Sequence, residues 1–149
     1  MSLILRAPAP GDFDAWSSMY GAYARAVQLP VTDPIARVVW EWIMHGTHRV
    51  ECLLAEREGS AVGFAIFRPF PRTLDGNEAC YLDDLYVREE FRGSGVVRAL
   101  LGKLAEITRA RGWSHIRWVT TPDNLRARGL YDKVAVKTDL ITYRIDVER

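Results

Sequence analysis

Along the chain the spacing of apolar and polar positions changes several times, and each change predicts an element. Leu3 to Ala7 reads as a strand, ended by Pro8 and Pro10. A helix is expected from about Asp12, because Phe13, Trp16, Tyr20 and Tyr23 share one helical face. A second helix has better-marked ends. Thr32 or Asp33 can cap it, Pro34 suits its first turn, and Gly46 can close it after Trp40, Ile43 and Met44. Val50 to Arg57 and Ala61 to Phe67 are apolar runs joined by Glu58-Gly59-Ser60, which predicts a hairpin. Pro69, Pro71, Asp75, Gly76 and Asn77 then predict a loop. Tyr81, Leu85 and Val87 alternate as in a strand, after which Leu100, Leu101, Leu104 and Thr108 return to helical spacing as far as Arg111-Gly112. Ile116 to Thr120 predicts a strand broken by Pro122, a helix follows with Leu130 and Val134 on its core face, and Ile141 to Val147 predicts a strand that closes the sheet. This order predicts an α+β fold, not strict βαβ alternation.

The junction between the strand at Tyr81 and the helix near Leu100 carries the most specific chemistry. Gly93 and Gly95 permit backbone conformations closed to other residues and let a ligand approach the main chain. Free N–H groups of the first helical turn then face that ligand, backed by the positive end of the helix dipole, an arrangement suited to phosphate. The spacing excludes two common phosphate loops. There is no Gly-x-x-x-x-Gly-Lys-Ser/Thr, and Arg98 stands where Gly-x-Gly-x-x-Gly needs its third glycine.

What the segment resembles is motif A of the GCN5-related N-acetyltransferases (GNAT), Gln/Arg-x-x-Gly-x-Gly/Ala after a strand, aligned as Glu90-Phe91-Arg92-Gly93-Ser94-Gly95. Glu90 departs from the Gln/Arg position, and Val97 stands where many members have a further glycine. A second stretch, Asn124 through Ala127, Leu130, Tyr131 and Lys133, is similar to the family's Asn-x-x-Ala-x-x-Leu/Phe-Tyr-x-Lys. The resemblance implies a mixed, mostly antiparallel sheet with splayed central strands, flanked by about four helices. It implies acetyl-CoA as cosubstrate, held by Leu85, Tyr86, Val87, Arg92, Gly93, Ser94, Gly95, Val96, Val97, Arg98, Asn124, Tyr131 and Lys133. In such enzymes the Tyr131 position protonates the departing thiolate, and a backbone N–H from Leu85 to Val87 polarises the thioester.

An acceptor amine needs a base, since an alkyl ammonium is neutral in only about one molecule per thousand near neutral pH. Asp83 and Asp84 lie in the strand before the turn, and neighbouring strand residues ordinarily point to opposite faces, so at most one of them is expected to face the reaction center. Tyr-Leu-Asp-Asp-Leu-Tyr-Val is similar to a segment of spermidine/spermine acetyltransferases, which implies amine recognition and proton relay for this acidic pair. Residues 118–143 also resemble the yeast subgroup that acetylates histones and polyamines. The expected acceptor is therefore a small primary amine such as a polyamine, diamine or amino acid. Peptide lysine and a non-catalytic acyl-CoA sensor are the alternatives. Glu41 and Trp42 are candidates for substrate contact, because indole faces attract cations and the family places variable substrate elements in its first helices.

Composition narrows this further. The 149 residues are 48% hydrophobic and 26% charged, which fits a single N-acetyltransferase domain over 1–149. With 20 Lys and Arg against 19 Asp and Glu the net charge is +1, so no bulk field favours nucleic acid. Cys52 and Cys80 sit in apolar runs as expected buried thiols, not a disulfide. His45 and His48 flank Gly46 with no third ligand nearby, so no metal is expected. Neither a charged leader nor a membrane-length apolar stretch is seen, and the expectation is a cytoplasmic protein. By resemblance it would be a homodimer.

Overall fold

The computed structural model describes residues 2–148, which divide into two compact units, one ending at Trp118 and the other beginning at Val119. The first unit holds a five-stranded sheet in the order β1-β2-β3-β4-β5. Its strands are β1 (Leu3–Arg6), β2 (Glu51–Arg57), β3 (Ser60–Arg72), β4 (Asn77–Val87) and β5 (Ile116–Arg117). Pairing is antiparallel from β1 to β4, whereas β5 runs parallel to β4. The mixed, mostly antiparallel α+β architecture is the one expected.

Each face of the sheet is covered by helices with a matching apolar stripe. On one face α3 (Val96–Ala110) sets Val96, Leu100 and Leu104 against Leu53, Ala65, Phe67 and Leu82. On the other, α1 (Phe13–Ala26) and α2 (Asp33–His45) bring Trp16, Met19 and Trp40 onto Cys52, Leu54, Phe64 and Ile66. Trp16 and Phe64 are fully buried, and each such side chain contributes roughly 1.5–3 kcal/mol. The ends of α2 follow its sequence signals. Thr32 accepts a hydrogen bond from the Ile35 N–H at 3.4 Å, and Gly46 closes the helix with φ of 65°.

The prolines do not make the expected loop. β3 continues through Pro69 and Pro71 to Arg72, paired with β4 at Pro69–Cys80 and Pro71–Glu78, leaving residues 73–76 as the turn. The pairing of β3 with β2 stops at Phe67, so beyond that point one side of β3 is an edge. Residues two apart direct their nitrogens to the same side of a strand, and both prolines can therefore spend their missing donor on that edge.

The last strand of the first unit is shorter than Ile116 to Thr120 predicts. β5 pairs with β4 only at Ile116–Cys80 and Arg117–Tyr81, so among the described residues β4 has no strand partner on that side from Leu82 onward.

The second unit contains one helix, α4 (Leu125–Val134), among its described residues. None of its residues is buried, and Val134 is exposed where a core position was expected. The strand predicted over Ile141 to Val147 does not form. Alternation there is real, but Ile141, Tyr143, Ile145 and Val147 are all highly exposed, and none of the described residues of this segment is in a strand.

Candidate active site

The reaction center expected on β4 is shaped by an irregularity in that strand. Asp84 pairs with Ile66 and Leu82 with Phe67, so Asp83 is an extra residue in β4, a β-bulge. Alternation is reset there. Leu82 and Leu85 both join the cluster under α3, although residues three apart in a regular strand lie on opposite faces. Asp83 and Asp84, between them, therefore both turn toward α1 and α2. The expectation that only one would do so is corrected by the bulge, which nothing in the local sequence announces.

Aromatic rings enclose the acidic pair. Trp16 stacks on Tyr20 at 4.7 Å, Tyr20 stacks on Tyr23 at 6.4 Å, and Tyr23 meets Tyr86 edge-on at 6.4 Å. The Tyr23 hydroxyl donates to Asp84. Burial nevertheless dominates and, with the Asp83 charge beside it, pushes the Asp84 carboxyl up from 3.8 to about 6. Asp83 accepts from Arg68 Nε at 3.0 Å and Nη2 at 3.3 Å. The bridge alone would hold this carboxyl low, but desolvation outweighs it and the net shift is upward. Burial, with the fields of Asp84 and Asp83 added, pushes the Tyr20 hydroxyl up to about 12. The pocket thus holds one carboxylate tied to an arginine and one poised to exchange a proton near neutral pH.

At the end of β4 a single 3-10 turn, Glu89–Phe91, leads into the glycine turn. Gly93 and Gly95 have φ of 77° and 88°, where a side chain would strain the backbone. The first hydrogen bond of α3 runs from the Ala99 N–H to the Gly95 carbonyl at 3.0 Å, which leaves the N–H groups of Val96, Val97 and Arg98 without a helical partner. Arg92 braces the turn by donating from Nε to the Val87 carbonyl at 3.1 Å, and the Ser94 hydroxyl donates to the Phe91 carbonyl. Val97 packs against the apolar cluster beneath α3, so its branched side chain has a structural place. Glu90 instead lines a cleft with Arg6, Glu56 and Arg88. The free amides and the left-handed glycines fit a pyrophosphate.

Asn124, Tyr131 and Lys133 belong to the second unit. Asn124 precedes α4 and its Nδ2 donates to Thr120 Oγ1 at 3.1 Å. Tyr131 is half-buried, and burial raises its hydroxyl above the usual value, while Lys133 is exposed. Glu41 and Trp42 are not brought to the acidic pair. Glu41 pairs with His45 at 2.9 Å and lines a 660 Å³ cleft with Pro8, Pro10, Glu51 and Cys52. Cys52 lies two strands from Asp84 through Ile66, about 10 Å away. Trp42 meets His48 edge-on at 5.0 Å. Both cysteines are free and buried. Desolvation raises the Cys52 thiol and pushes Cys80 up to about 11, which suits neither to act as a thiolate nucleophile.

Sequence reasoning missed Tyr20, Tyr23, Arg68 and Tyr86 as neighbours of the acidic pair. The first two were visible as an aromatic helix face, but nothing in the sequence sets that face against β4.

The acetyltransferase (GNAT) family pattern matches residues 15–135. Among curated relatives, the D-amino-acid N-acetyltransferase HPA3 of Saccharomyces cerevisiae is 30% identical over 144 residues, covering 95% of this chain and 89% of the relative. The thialysine N-epsilon-acetyltransferase of Caenorhabditis elegans is 41% identical over 54 residues, 36% of this chain and 34% of that protein. Among solved structures, the ribosomal-protein-alanine N-acetyltransferase from Brucella melitensis superposes with a TM-score of 0.83 at 26% identity, covering 98% of this chain and all of that one. With the mixed five-stranded sheet, the glycine turn and the family pattern in agreement, the chain belongs to the acetyltransferase (GNAT) family.

Proposed function

We propose that this acetyltransferase moves the acetyl group of acetyl-CoA directly onto the primary amine of a small molecule, a polyamine, diamine or amino acid. The observation that carries the reading is the pair of β4 carboxylates on one face inside a ring of tyrosines. Acetyl-CoA supplies the activated acetyl group. On this reading the N–H groups of Val96, Val97 and Arg98 and the glycine turn hold its pyrophosphate. A main-chain N–H in Leu85 to Val87 polarises the carbonyl under attack, which can be worth about 3 kcal/mol.

The acceptor arrives as an ammonium, and freeing its lone pair near neutral pH costs about 4 kcal/mol. Asp83 and Asp84 attract the cation, and the rings of Tyr20, Tyr23 and Tyr86 offer it π-faces. Asp84, with its carboxyl near 6, is largely ionised at pH 7.5 and accepts the amine proton directly or through water. Tyr131, by its motif position, returns a proton to the thiolate as coenzyme A departs. Buried, protonated thiols at Cys52 and Cys80 support transfer without a covalent intermediate. Their unpaired state supports a reducing, cytoplasmic compartment. The reading takes residues 1–149 as one catalytic domain, with no nucleic-acid or membrane partner.

A homodimer is part of the proposal. The exposed alternation at Ile141, Tyr143, Ile145 and Val147 supports it, since a second copy would cover these side chains.

The decisive test is release of free coenzyme A from acetyl-CoA with and without polyamines, diamines, amino acids and lysine peptides, for wild type and Tyr131→Phe. Amine-dependent release that falls about 100-fold in the variant is expected. Tight acetyl-CoA binding with no release to any amine would turn the reading into an acyl-CoA sensor. Release with peptides alone would make it a protein lysine acetyltransferase.

A further inference from the structure

Asp83 and Asp84 are neighbours on one face, and two carboxylates so placed repel one another. Left to themselves they would share a proton, and nothing would decide which of them is the base. The side chain that breaks this symmetry is Arg68. It stands on β3 opposite Tyr81, one residue past Phe67 and so on the face of Ile66, toward α1 and α2. The bulge leaves Asp83 with no residue opposite it on β3. The Arg68 guanidinium reaches across to it with a two-pronged contact, Nε to Oδ2 at 3.0 Å and Nη2 to Oδ1 at 3.3 Å.

An aromatic floor holds the guanidinium in that position. It lies 4.9 Å from the Tyr81 ring centroid, and Phe70 meets Tyr81 edge-on at 6.0 Å. Both partners of the bridge are partly buried, which screens it less than a surface pair. The other titratable and charged groups near the carboxylates act differently. Tyr20 and Tyr23 face them from α1, Cys52 from β2 and Tyr86 from β4. Arg92 of the glycine turn is placed over Tyr86 at 5.8 Å, and Arg37 of α2 over Phe13 at 4.7 Å. Among the described residues, Arg68 is the one of these cations that bridges to the pair, and it takes Asp83, while Tyr23 serves Asp84.

We propose that Arg68 is the positioning residue of this site: clamped between Tyr81 and Asp83, it holds Asp83 as a fixed anion that attracts the acceptor cation, and so leaves Asp84 as the one carboxylate that takes the proton. On the amine-acetylating reading, on which this rests, the ammonium hands one proton to an Asp84 oxygen and becomes the neutral nucleophile, while Asp83 stays charged throughout. Without Arg68 both contributions that favour the Asp83 anion, its field and its hydrogen bonds, disappear while burial remains. The pair then keeps a proton to higher pH, divided between two carboxyls.

The test reads the acid limb of the kcat/KM profile and, without turnover, the titration of the aspartate carboxyl carbons by NMR. Arg68→Met keeps an apolar stem over Tyr81 without the charge, and its acid limb is expected to rise by about one pH unit or more. Adding Asp83→Asn to that variant should return the limb to within about half a unit of wild type, because the like charge is gone, although the rate falls at every pH. Arg68→Lys, which keeps the charge without the fork, should also stay within about half a unit. A loss by the same factor at every pH, or a rise in Arg68→Met that Asp83→Asn does not reverse, would overturn the assignment and leave Arg68 as packing on Tyr81. By NMR, wild type should show Asp83 and Asp84 as separate single steps, identified by their loss in the Asn variants, and Arg68→Met should show two coupled steps shared by both. If no amine is acetylated, the acetylation reading fails, yet coupled steps in Arg68→Met still support its hold on the pair, and unchanged separate steps overturn that hold.

Discussion

The two halves of the candidate site are built from different materials. The turn at Gly93 and Gly95 is a main-chain device: its donors are the backbone N–H groups at the start of α3, and its glycines are required by left-handed φ values. The acidic pocket on β4 is a side-chain device, and its properties come from neighbours distant in sequence. Tyr23 lies on α1 and Arg68 on β3, and burial under them sets the ionisation of Asp83 and Asp84. A main-chain site should tolerate side-chain change and fail on backbone change. The converse should hold for the pocket.

Asp84→Asn puts the greatest strain on that distinction. With the base removed and the shape kept, amine-dependent coenzyme A release at pH 8 should fall by about 10²–10⁴-fold. Acetyl-CoA affinity, measured by calorimetry, should stay within about twofold, because the turn touches this pocket through Arg92, whose guanidinium lies 5.8 Å from the Tyr86 ring centroid, and the substitution leaves both side chains in place. Equal loss of affinity and rate would mean that the two regions are one cooperative unit.

Gly95→Ala tests the other half. Nothing lies within 4 Å of the Cβ it would add, so its cost is conformational: an alanine at φ of 88° is strained by about 1–3 kcal/mol. Relieving that strain displaces the amides at the start of α3, and acetyl-CoA affinity should weaken about 5–100-fold. Gly102→Ala is the control. It too meets nothing within 4 Å, but it lies within α3 with no positive φ, and it should stabilise the fold by about 0.5–1 kcal/mol with affinity unchanged.

The same difference in material decides what the sequence could disclose. Gly-x-Gly between a strand and a helix is a local pattern, and it located the turn to the residue. The hairpin at Glu58-Gly59-Ser60 and the ends of α2 were legible for the same reason. The bulge at Asp83 was not, because it is a mismatch of register between β3 and β4 and exists only in their pairing. Pro69 and Pro71 misled because a proline is a loop signal until the strand beside it is known to end at Glu51.

Asp84 also carries a stability signature. Its folded carboxyl, near 6, lies above its ordinary 3.8, so between these values the folded protein holds a proton that the unfolded chain has released. The favourable contribution is complete below about pH 3.8 and is lost as pH rises through 6. At pH 8 the buried charge is a burden of up to about 3 kcal/mol. Asp84→Asn should therefore raise the unfolding midpoint at pH 8, with the gain shrinking toward pH 4. A gain of the same size at both pH values would attribute it to packing instead of charge.

Tyr23→Phe should give the smallest effect, and it asks whether the pocket is tuned from α1. The hydroxyl of Tyr23 opposes burial by donating to the ionised Asp84, so its removal moves the carboxyl further up from about 6. The ring remains to pack on Phe64 and Tyr86, which keeps the fold. The acid limb of the kcat/KM profile should then shift upward by about half a unit to one unit, a loss of up to about 1.4 kcal/mol in favour of the charged base. At pH 6 the variant should run several-fold slower than wild type, and at pH 8.5, where both carboxyls are ionised, the two should converge. A uniform loss across that range would assign Tyr23 to holding the acceptor amine. An unshifted profile would mean that the ionisation of Asp84 is set on β4 alone, by burial and by Asp83.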